Sequence, residues 1–422
     1  MKLSSIRELT LRAAFLLGPT GIFFTPIPGI GSLRTFYFTA AAINLLSLFG
    51  TARRASHHLL ILFFIFILLL FSASHALLEA SDDLPFYTNP IIRVLVIANL
   101  MFGFFNAAQW ILASRTPNLA EKLLHDSYIG FCLVFFLGMI LYLGYINGKL
   151  PATLYNRFIT LDQVAYGYSR FSPGTYPNEF GILCSFYALY SLILLQRKRR
   201  LVYVALATTF AAGIFLTSTR AAYLTLIGGY LYLILRPPTR RARLQLLAFA
   251  GLSVPAVIAL LSYISFDIFA VVMTGYESAA NGTGSSSVRL HGWNSAFRDL
   301  MENLLWGVGI ESPKAYSLHN LPLQIFYGLG LLGSTLLAAG ALLFAYHNQK
   351  STWNLCHCEP LAYSCLSATR AVLAIHVVIF GLTNHNQAHF FTWMLFALTC
   401  LKLRRIKPVQ RQPNPLQALG TA

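Results

Sequence analysis

The sequence predicts an all-α polytopic membrane protein with about 12 transmembrane helices. Of its 422 residues, 56% are hydrophobic and only 11% are charged, and the mean hydropathy of +0.61 lies far outside the range of soluble domains. Segments of about 18 or more mostly apolar residues recur along the whole chain, and each could cross roughly 30 Å of hydrocarbon. The predicted spans are 13–31, 36–50, 59–78, 91–113, 127–147, 179–196, 201–217, 221–236, 244–265, 321–346, 366–384 and 387–402.

The basic residues predict the topology. With the N-terminus in the cytoplasm, one side of the membrane receives most of the 31 lysines and arginines, including 197–200, 240–243 and the tail after Lys402. Positive loops stay in the cytoplasm, so both termini are predicted to be cytoplasmic. The net charge of +17 therefore indicates membrane topology, and we expect no nucleic-acid partner.

This topology divides the chain into six parts. They are N-terminal transmembrane helices 1–5 (1–147), an outer loop (148–178), helices 6–9 (179–265), a second outer loop (266–320), helices 10–12 (321–403) and a cytoplasmic tail (404–422). The two outer loops are the only sizeable ones on that side, so function is expected there. The sequence contains no GxxxxGK[ST] motif, which argues against an ATP-driven pump unless a partner supplies the motor.

The larger outer loop contains an amphipathic segment. Apolar residues recur at helical spacing between Val288 and Leu305, after a Gly/Ser-rich stretch at 281–287. We expect an amphipathic helix lying on the outer face, ended by Gly307 and Gly309.

Three outer arginines are candidates for binding an anion: Arg170, Arg220 and Arg289. Arg220 follows Ser218 and Thr219, whose hydroxyls could cap the eighth span, and Arg289 similarly follows serines at the start of the amphipathic helix. A cation at a helix N-terminus opposes the macrodipole, and a bound anion would relieve that cost. A guanidinium binds phosphate oxygens bidentately, which suits a diphosphate. The alternative is that Arg220 snorkels to the interface or pairs with an outer carboxylate.

His319 is the candidate general base. It stands directly before the tenth span, with Asn320 as a helix cap and Pro322 in the first turn. An imidazole with a pKa of about 6.5 can accept a proton at neutral pH. The alternative is an interfacial histidine bonded to a backbone carbonyl, but the nearby arginines favour catalysis.

Two further polar groups have simpler explanations. Asp82 and Asp83 could bind a divalent ion, but adjacent carboxylates do not face one point, and a solvated loop end explains them better. The polar residues between the last two spans fit hairpin-turn polarity, with substrate contact as the alternative; they are Asn384, His385, Asn386, Gln387 and His389. We predict no metal site.

Several motifs resemble the O-antigen ligase and O-antigen polymerase superfamily of bacterial inner membranes. The stretch RLHGWNSAFRDLMENLLWGVG from Arg289, followed by HNLPLQIFYGLGLLG, carries the main resemblance. STRAAYLTL resembles the segment with the family's essential arginine, and RFSPGTYPNEFG resembles its outer loop. These stretches lie between Arg170 and Gly333. The short interval from Arg289 to His319 departs from what some ligases show, so the outer domain is expected to be reduced here.

The resemblance implies a GT-C-like glycosyltransferase of the bacterial inner membrane, with its active site on the periplasmic face. Its donor would be an undecaprenyl-diphosphate-linked O-antigen, and neither a nucleotide nor a metal would be required. The essential arginines would be Arg220 and Arg289, and the essential histidine would be His319. We assign substrate binding to Arg170, Asn178, Asn320, Gln324 and Trp293.

Three acceptors fit the same residues. A ligase would transfer the glycan to the lipid A core oligosaccharide, a polymerase to another lipid-linked repeat unit, and an O-linked protein oligosaccharyltransferase to a protein. The modest outer loops and the basic outer residues favour the ligase, because the core is anionic. A protein of a different class, a transporter of lipid-linked sugar, would also be embedded in membrane lipid. The sequence shows no internal repeat of the kind expected of transporters.

Overall fold

The computed structural model describes residues 3–19, 35–49, 56–78, 89–114, 116, 118–151, 164–165, 168–173, 176–237, 240–263, 273, 277, 281, 285–312, 318–350, 355–358, 360–384 and 389–405. The helices in these ranges are α1 (Leu3–Leu17), α2 (Thr35–Leu48), α3 (Ser56–Leu78), α4 (Pro90–Ala113), α5 (Leu119–Ile146), α6 (Pro177–Lys198), α7 (Val202–Thr217), α8 (Arg220–Leu235), α9 (Arg240–Tyr263), α10 (Ser285–Glu302), α11 (Leu321–Lys350), α12 (Pro360–Thr383) and α13 (Phe390–Cys400). Two short strand pairs accompany them, β1 (Val164–Ala165) with β2 (Tyr168–Ser169) and β3 (Leu355–Cys358) with β4 (Lys402–Arg405).

The helices form a multi-pass membrane protein. Within the described ranges, seven helices are long and apolar enough to cross a membrane: α3, α4, α5, α6, α9, α11 and α12. Four more, α2, α7, α8 and α13, are apolar but have only 10–17 residues. The mainly helical membrane fold is confirmed, and about 12 crossings, with the loops between them, stay a prediction.

The first helix differs from its predicted span. The hydropathy placed a span at 13–31, whereas α1 covers Leu3–Leu17 and ends before Pro19. Proline lacks the N–H that a continuing helix requires, which explains the end. Residues 20–34 lie outside the described part. On α1, Arg12 donates to both carboxylate oxygens of Asp126 in α5, at 2.8 and 3.1 Å.

Helix α6 lies at the centre of the packed helices. In an apolar stretch of 18 residues within α6, 94% of the residues are buried inside the protein. Helix α6 packs against α7, α8 and α12. The Ser185 hydroxyl of α6 hydrogen bonds His376 of α12 and accepts from Thr225 of α8, both at 2.9 Å. These polar contacts join three helices, and residues of the candidate site described below lie near one end of each.

Helix α11 is broken at Gly330, whose φ of 62° and ψ of −172° are not helical. The break frees backbone groups, and the turn after α10 satisfies them. The Val308 N–H donates to the Tyr327 carbonyl at 3.0 Å, and the Leu331 N–H donates to the Leu304 carbonyl at 2.8 Å. Inside a membrane such freed groups require protein partners.

The turn 303–310 inserts between α3 and α11. Gly307 and Gly309 have φ values of 71° and 86°, which an L residue rarely adopts. A Cβ on Gly307 would lie 2.5 Å from the Gly330 nitrogen, and one on Gly309 would lie 2.4 Å from the Ala76 Cβ. The glycines therefore allow the turn to pack closely against both helices.

Candidate active site

The α7–α8 turn is held by Arg170, which directly follows β2. The Arg170 guanidinium donates to the Thr217 carbonyl at 2.6 Å, to the Asn178 side-chain oxygen at 2.9 Å and to the Thr219 hydroxyl at 3.2 Å. A cation bonded to the carbonyl at the C-terminal end of α7 is also favoured by the helix dipole. Arg170 therefore fixes the turn that precedes Arg220, the first residue of α8.

Capping of α8 differs from the expectation. Thr219 occupies the N-cap position, but its hydroxyl makes no capping bond and donates instead to the Pro177 carbonyl at 3.0 Å. Ser218 has a φ of 51°, and its hydroxyl donates back to the Phe215 carbonyl of α7. The predicted hydroxyl caps were wrong because both hydroxyls bond other carbonyls. Arg220 is the first residue of α8, and its side chain is exposed.

Helix α10 carries Arg289 and confirms the predicted amphipathic helix. It begins at Ser285, so Arg289 lies in its second turn and not at its start as expected, because the preceding serines are themselves helical. Its apolar side packs against the start of α11. The cluster contains Ala296, Leu300 and the partly buried Trp293 of α10, together with Leu318 and Tyr327.

Helix α10 runs alongside α11. The Trp293 indole contacts residue 318, Asp299 accepts from the Tyr327 hydroxyl at 3.1 Å, and the Leu304 carbonyl reaches Leu331. These contacts advance along both segments in the same direction. The expectation that α10 lies on the outer face stays a prediction.

Residues 318–320 form the turn that presents His319. The Leu318 carbonyl accepts from the Trp293 indole at 2.8 Å. The Asn320 amide donates to the Leu382 carbonyl of α12 at 3.0 Å, and its oxygen accepts from the Leu323 N–H at 2.9 Å. The predicted Asn320 cap is confirmed. His319 itself has a φ of 48°, a left-handed conformation that costs about 1–2 kcal/mol in an L residue. The flanking bonds offset this strain and hold the imidazole in one place.

Asn384, at the C-terminal end of α12, completes the turn by hydrogen bonding the His319 side chain. The sequence had grouped Asn384 with hairpin-turn polarity, and the structure makes it the partner of the candidate base. The only sequence signal was that both residues belong to the same predicted side of the membrane.

Arg220, Arg289 and His319 share one electrostatic environment. Burial lowers the Arg289 pKa, and the charge of Arg220 lowers it further. Burial also lowers the His319 pKa, the charge of Arg289 lowers it further, and the Asn384 hydrogen bond opposes both. Arg289 of α10 is thus within electrostatic reach of Arg220 of α8 and of His319, which directly precedes α11. A lowered pKa keeps the imidazole neutral at pH 7, which is the form that accepts a proton.

The residues assigned to substrate binding all bond other protein groups. Arg170, Asn178, Asn320 and Trp293 make the hydrogen bonds given above. Gln324 is 1% exposed and donates from its amide nitrogen to Glu311 at 3.4 Å. This arrangement favours a role in positioning the site over direct contact with substrate, and the predicted binding role stays a prediction.

Other candidates fall outside the described residues or outside this cluster. Asp82 and Asp83, and residues 385–387, lie outside the described part. His389 is buried, and its Nδ1 accepts from the Phe391 N–H at the start of α13. Across the described ranges, no group of three or more His, Cys, Asp or Glu residues could hold a metal ion.

Comparison with known proteins identifies part of the chain. Residues 204–338 match the family described as O-antigen ligase. A search of curated proteins finds no match. The matched segment contains Arg220, Arg289 and His319, whereas Arg170 and Asn384 lie outside it. Through this segment, which is less than half of the chain, the protein is similar to the O-antigen ligase family, and the match supports the resemblance to the O-antigen ligase and polymerase superfamily.

Proposed function

We propose that this protein is an O-antigen ligase. It transfers a glycan from undecaprenyl diphosphate to the lipid A core oligosaccharide, on the periplasmic face of the bacterial inner membrane and without a metal ion. One observation supports the proposal most strongly: Arg289 lies within electrostatic reach of two groups from other segments, since the charge of Arg220 lowers the Arg289 pKa and the charge of Arg289 lowers the His319 pKa.

The arginines suit the donor. Arg289 and Arg220 repel each other, so the positive potential between them favours a ligand with at least two negative charges. A diphosphate has this charge, and its oxygens match the guanidinium fork. The N-terminus of α8, where Arg220 lies, adds further attraction for an anion.

The reaction follows from these roles. Neutral His319 accepts the proton of an acceptor hydroxyl, and the hydroxyl oxygen attacks the anomeric carbon of the donor sugar. As the new C–O bond forms, the bond to the diphosphate breaks and its electron pair leaves with the diphosphate oxygen. Arg220 and Arg289 stabilise the charge that grows there. A single displacement inverts the anomeric configuration, so a trapped covalent sugar–enzyme species would contradict this mechanism.

The acceptor is tested by direct competition. Purified protein in lipid is offered the undecaprenyl-diphosphate-linked glycan with lipid A core, with a second lipid-linked glycan, or with a protein acceptor, each with EDTA present. The proposal expects glycan on lipid A core and no loss of product with EDTA. Lengthening of the lipid-linked glycan would make the protein a polymerase, and transfer to protein would make it an oligosaccharyltransferase.

A further inference from the structure

An ion pair with a buried carboxylate lies beside the site and has no part in the proposed chemistry. The Arg93 guanidinium, in the first turn of α4, lies 2.8 Å from a carboxylate oxygen of Glu311. The two side chains are 19% and 2% exposed. Burying a carboxylate in this way is costly even when it is paired, so the pair calls for an explanation beyond stability.

The Glu311 carboxylate is connected to the turn at His319 through hydrogen bonds of one residue, Gln324. Its second oxygen accepts from the Gln324 amide at 3.4 Å. The Gln324 backbone N–H in turn donates to the Asn320 carbonyl at 2.8 Å, in the first turn of α11. Glu311 therefore bonds the helical turn that directly follows the candidate base.

Glu311 and His319 each follow a residue whose backbone is hydrogen bonded by another helix. The Ser72 hydroxyl of α3 accepts from the Ile310 N–H at 2.9 Å and donates to the Gly328 carbonyl of α11. Trp293 of α10 bonds the Leu318 carbonyl. Glu311 has a φ of 61°, so Glu311 and His319 both adopt left-handed backbone. Such strain persists where surrounding contacts over-determine the conformation.

We infer that Glu311 is a positioning residue for the base: it orients the first turn of α11, and with it His319, through Gln324. Arg93 neutralises the buried carboxylate. At 1% exposure, Glu311 has no surface with which to contact substrate, so it acts only through its neighbours. The inference rests on the proposed transfer reaction.

Double variants that remove both charges test this, since an apolar pair in place of a buried ion pair is often neutral for stability. Arg93→Met with Glu311→Met removes the acceptor for Gln324. We expect a folded protein whose kcat falls about tenfold, with little change in the donor KM, because a slightly misplaced base slows only the chemical step. Arg93→Met with Glu311→Gln restores an oxygen that Gln324 can bond, and should recover most of the lost kcat.

The matched control is the ion pair between Arg12 and Asp126, which joins α1 and α5 away from the site. Arg12→Met with Asp126→Leu should leave kcat unchanged. Thermal unfolding is measured for all three double variants. Wild-type kcat in the Met/Met variant, or equal losses in the Met/Met and Met/Gln variants, would overturn the inference. Failure of the wild-type protein to transfer glycan would instead overturn the proposed function.

Discussion

Replacing Asn384 by leucine removes the side chain that hydrogen bonds His319 and leaves the backbone of α12 intact. Asn384 is 8% exposed, and its own N–H stays bonded to the Phe380 carbonyl at 2.7 Å, so the end of the helix should persist. The imidazole then loses one of the contacts that hold it in its strained turn. We expect a lower kcat and a changed pH profile.

The magnitude follows from the bond that is lost. A neutral side-chain hydrogen bond contributes about 0.5–1.5 kcal/mol net. If that energy is lost from the oriented base, the rate falls by about two- to tenfold, since 1.4 kcal/mol is a factor of ten. The Asn384 bond also raises the His319 pKa, so its removal lowers this pKa. The base then stays neutral to lower pH, and the acidic limb of the profile moves to lower pH.

The assay is glycan transfer by the purified variant in lipid, with kcat/KM measured between about pH 5 and 8, where histidine titrates. Asn348→Leu is the matched control, because Asn348 bonds the Thr399 carbonyl at the opposite end of α11. A wild-type kcat and an unmoved acidic limb in Asn384→Leu would refute the argument that Asn384 orients the base. An equal loss in the control would attribute the effect to stability.

Further predictions follow from other contacts. Arg289→Gln removes the charge that lowers the His319 pKa, so the acidic limb of the residual activity should move to higher pH. An unmoved limb would show that the charge of Arg289 does not affect His319. Arg170→Met should lower the unfolding free energy by about 1.5–3 kcal/mol, the contribution of hydrogen bonds to a charged group, as measured by denaturant unfolding, and an unchanged midpoint would contradict this. Gly330→Ala places a Cβ 2.5 Å from backbone atoms at positive φ and should reduce the yield of folded protein. The control is Gly251→Ala on α9, whose added Cβ meets no atom within 4 Å and should raise stability by up to about 1 kcal/mol. Similar yields of the Gly330→Ala and Gly251→Ala variants would argue against tight packing at Gly330.

The sequence predicted the helices better than their ends. Apolar runs located α2 to α9 and α11 to α13 because a membrane selects strongly for hydropathy over about 18 residues. It misplaced the first helix because the apolar run continues through prolines that end α1. The cap at Asn320 was predictable because a cap depends on neighbouring residues only.

The site was predictable in its charged residues and not in their partners. Arg220, Arg289 and His319 were selected by residue type and motif, and the structure places Arg289 within electrostatic reach of the other two; their roles stay a prediction. The contacts of Asn384 and Glu311 join segments far apart in sequence, and a single sequence has no local signal for such pairs. The path of α10 along α11 was equally hidden, because an amphipathic pattern shows that one face is covered but not what covers it.

The most direct test of the account compares donor binding with glycan transfer in His319→Gln. Gln can hydrogen bond but cannot act as a base, and the arginines that hold the diphosphate remain. The account predicts that the variant binds the undecaprenyl-diphosphate-linked glycan as tightly as the wild type and forms no detectable product. Substantial transfer by His319→Gln would contradict a catalytic base at this position, and movement of the lipid-linked glycan across the membrane without transfer would make the protein a transporter.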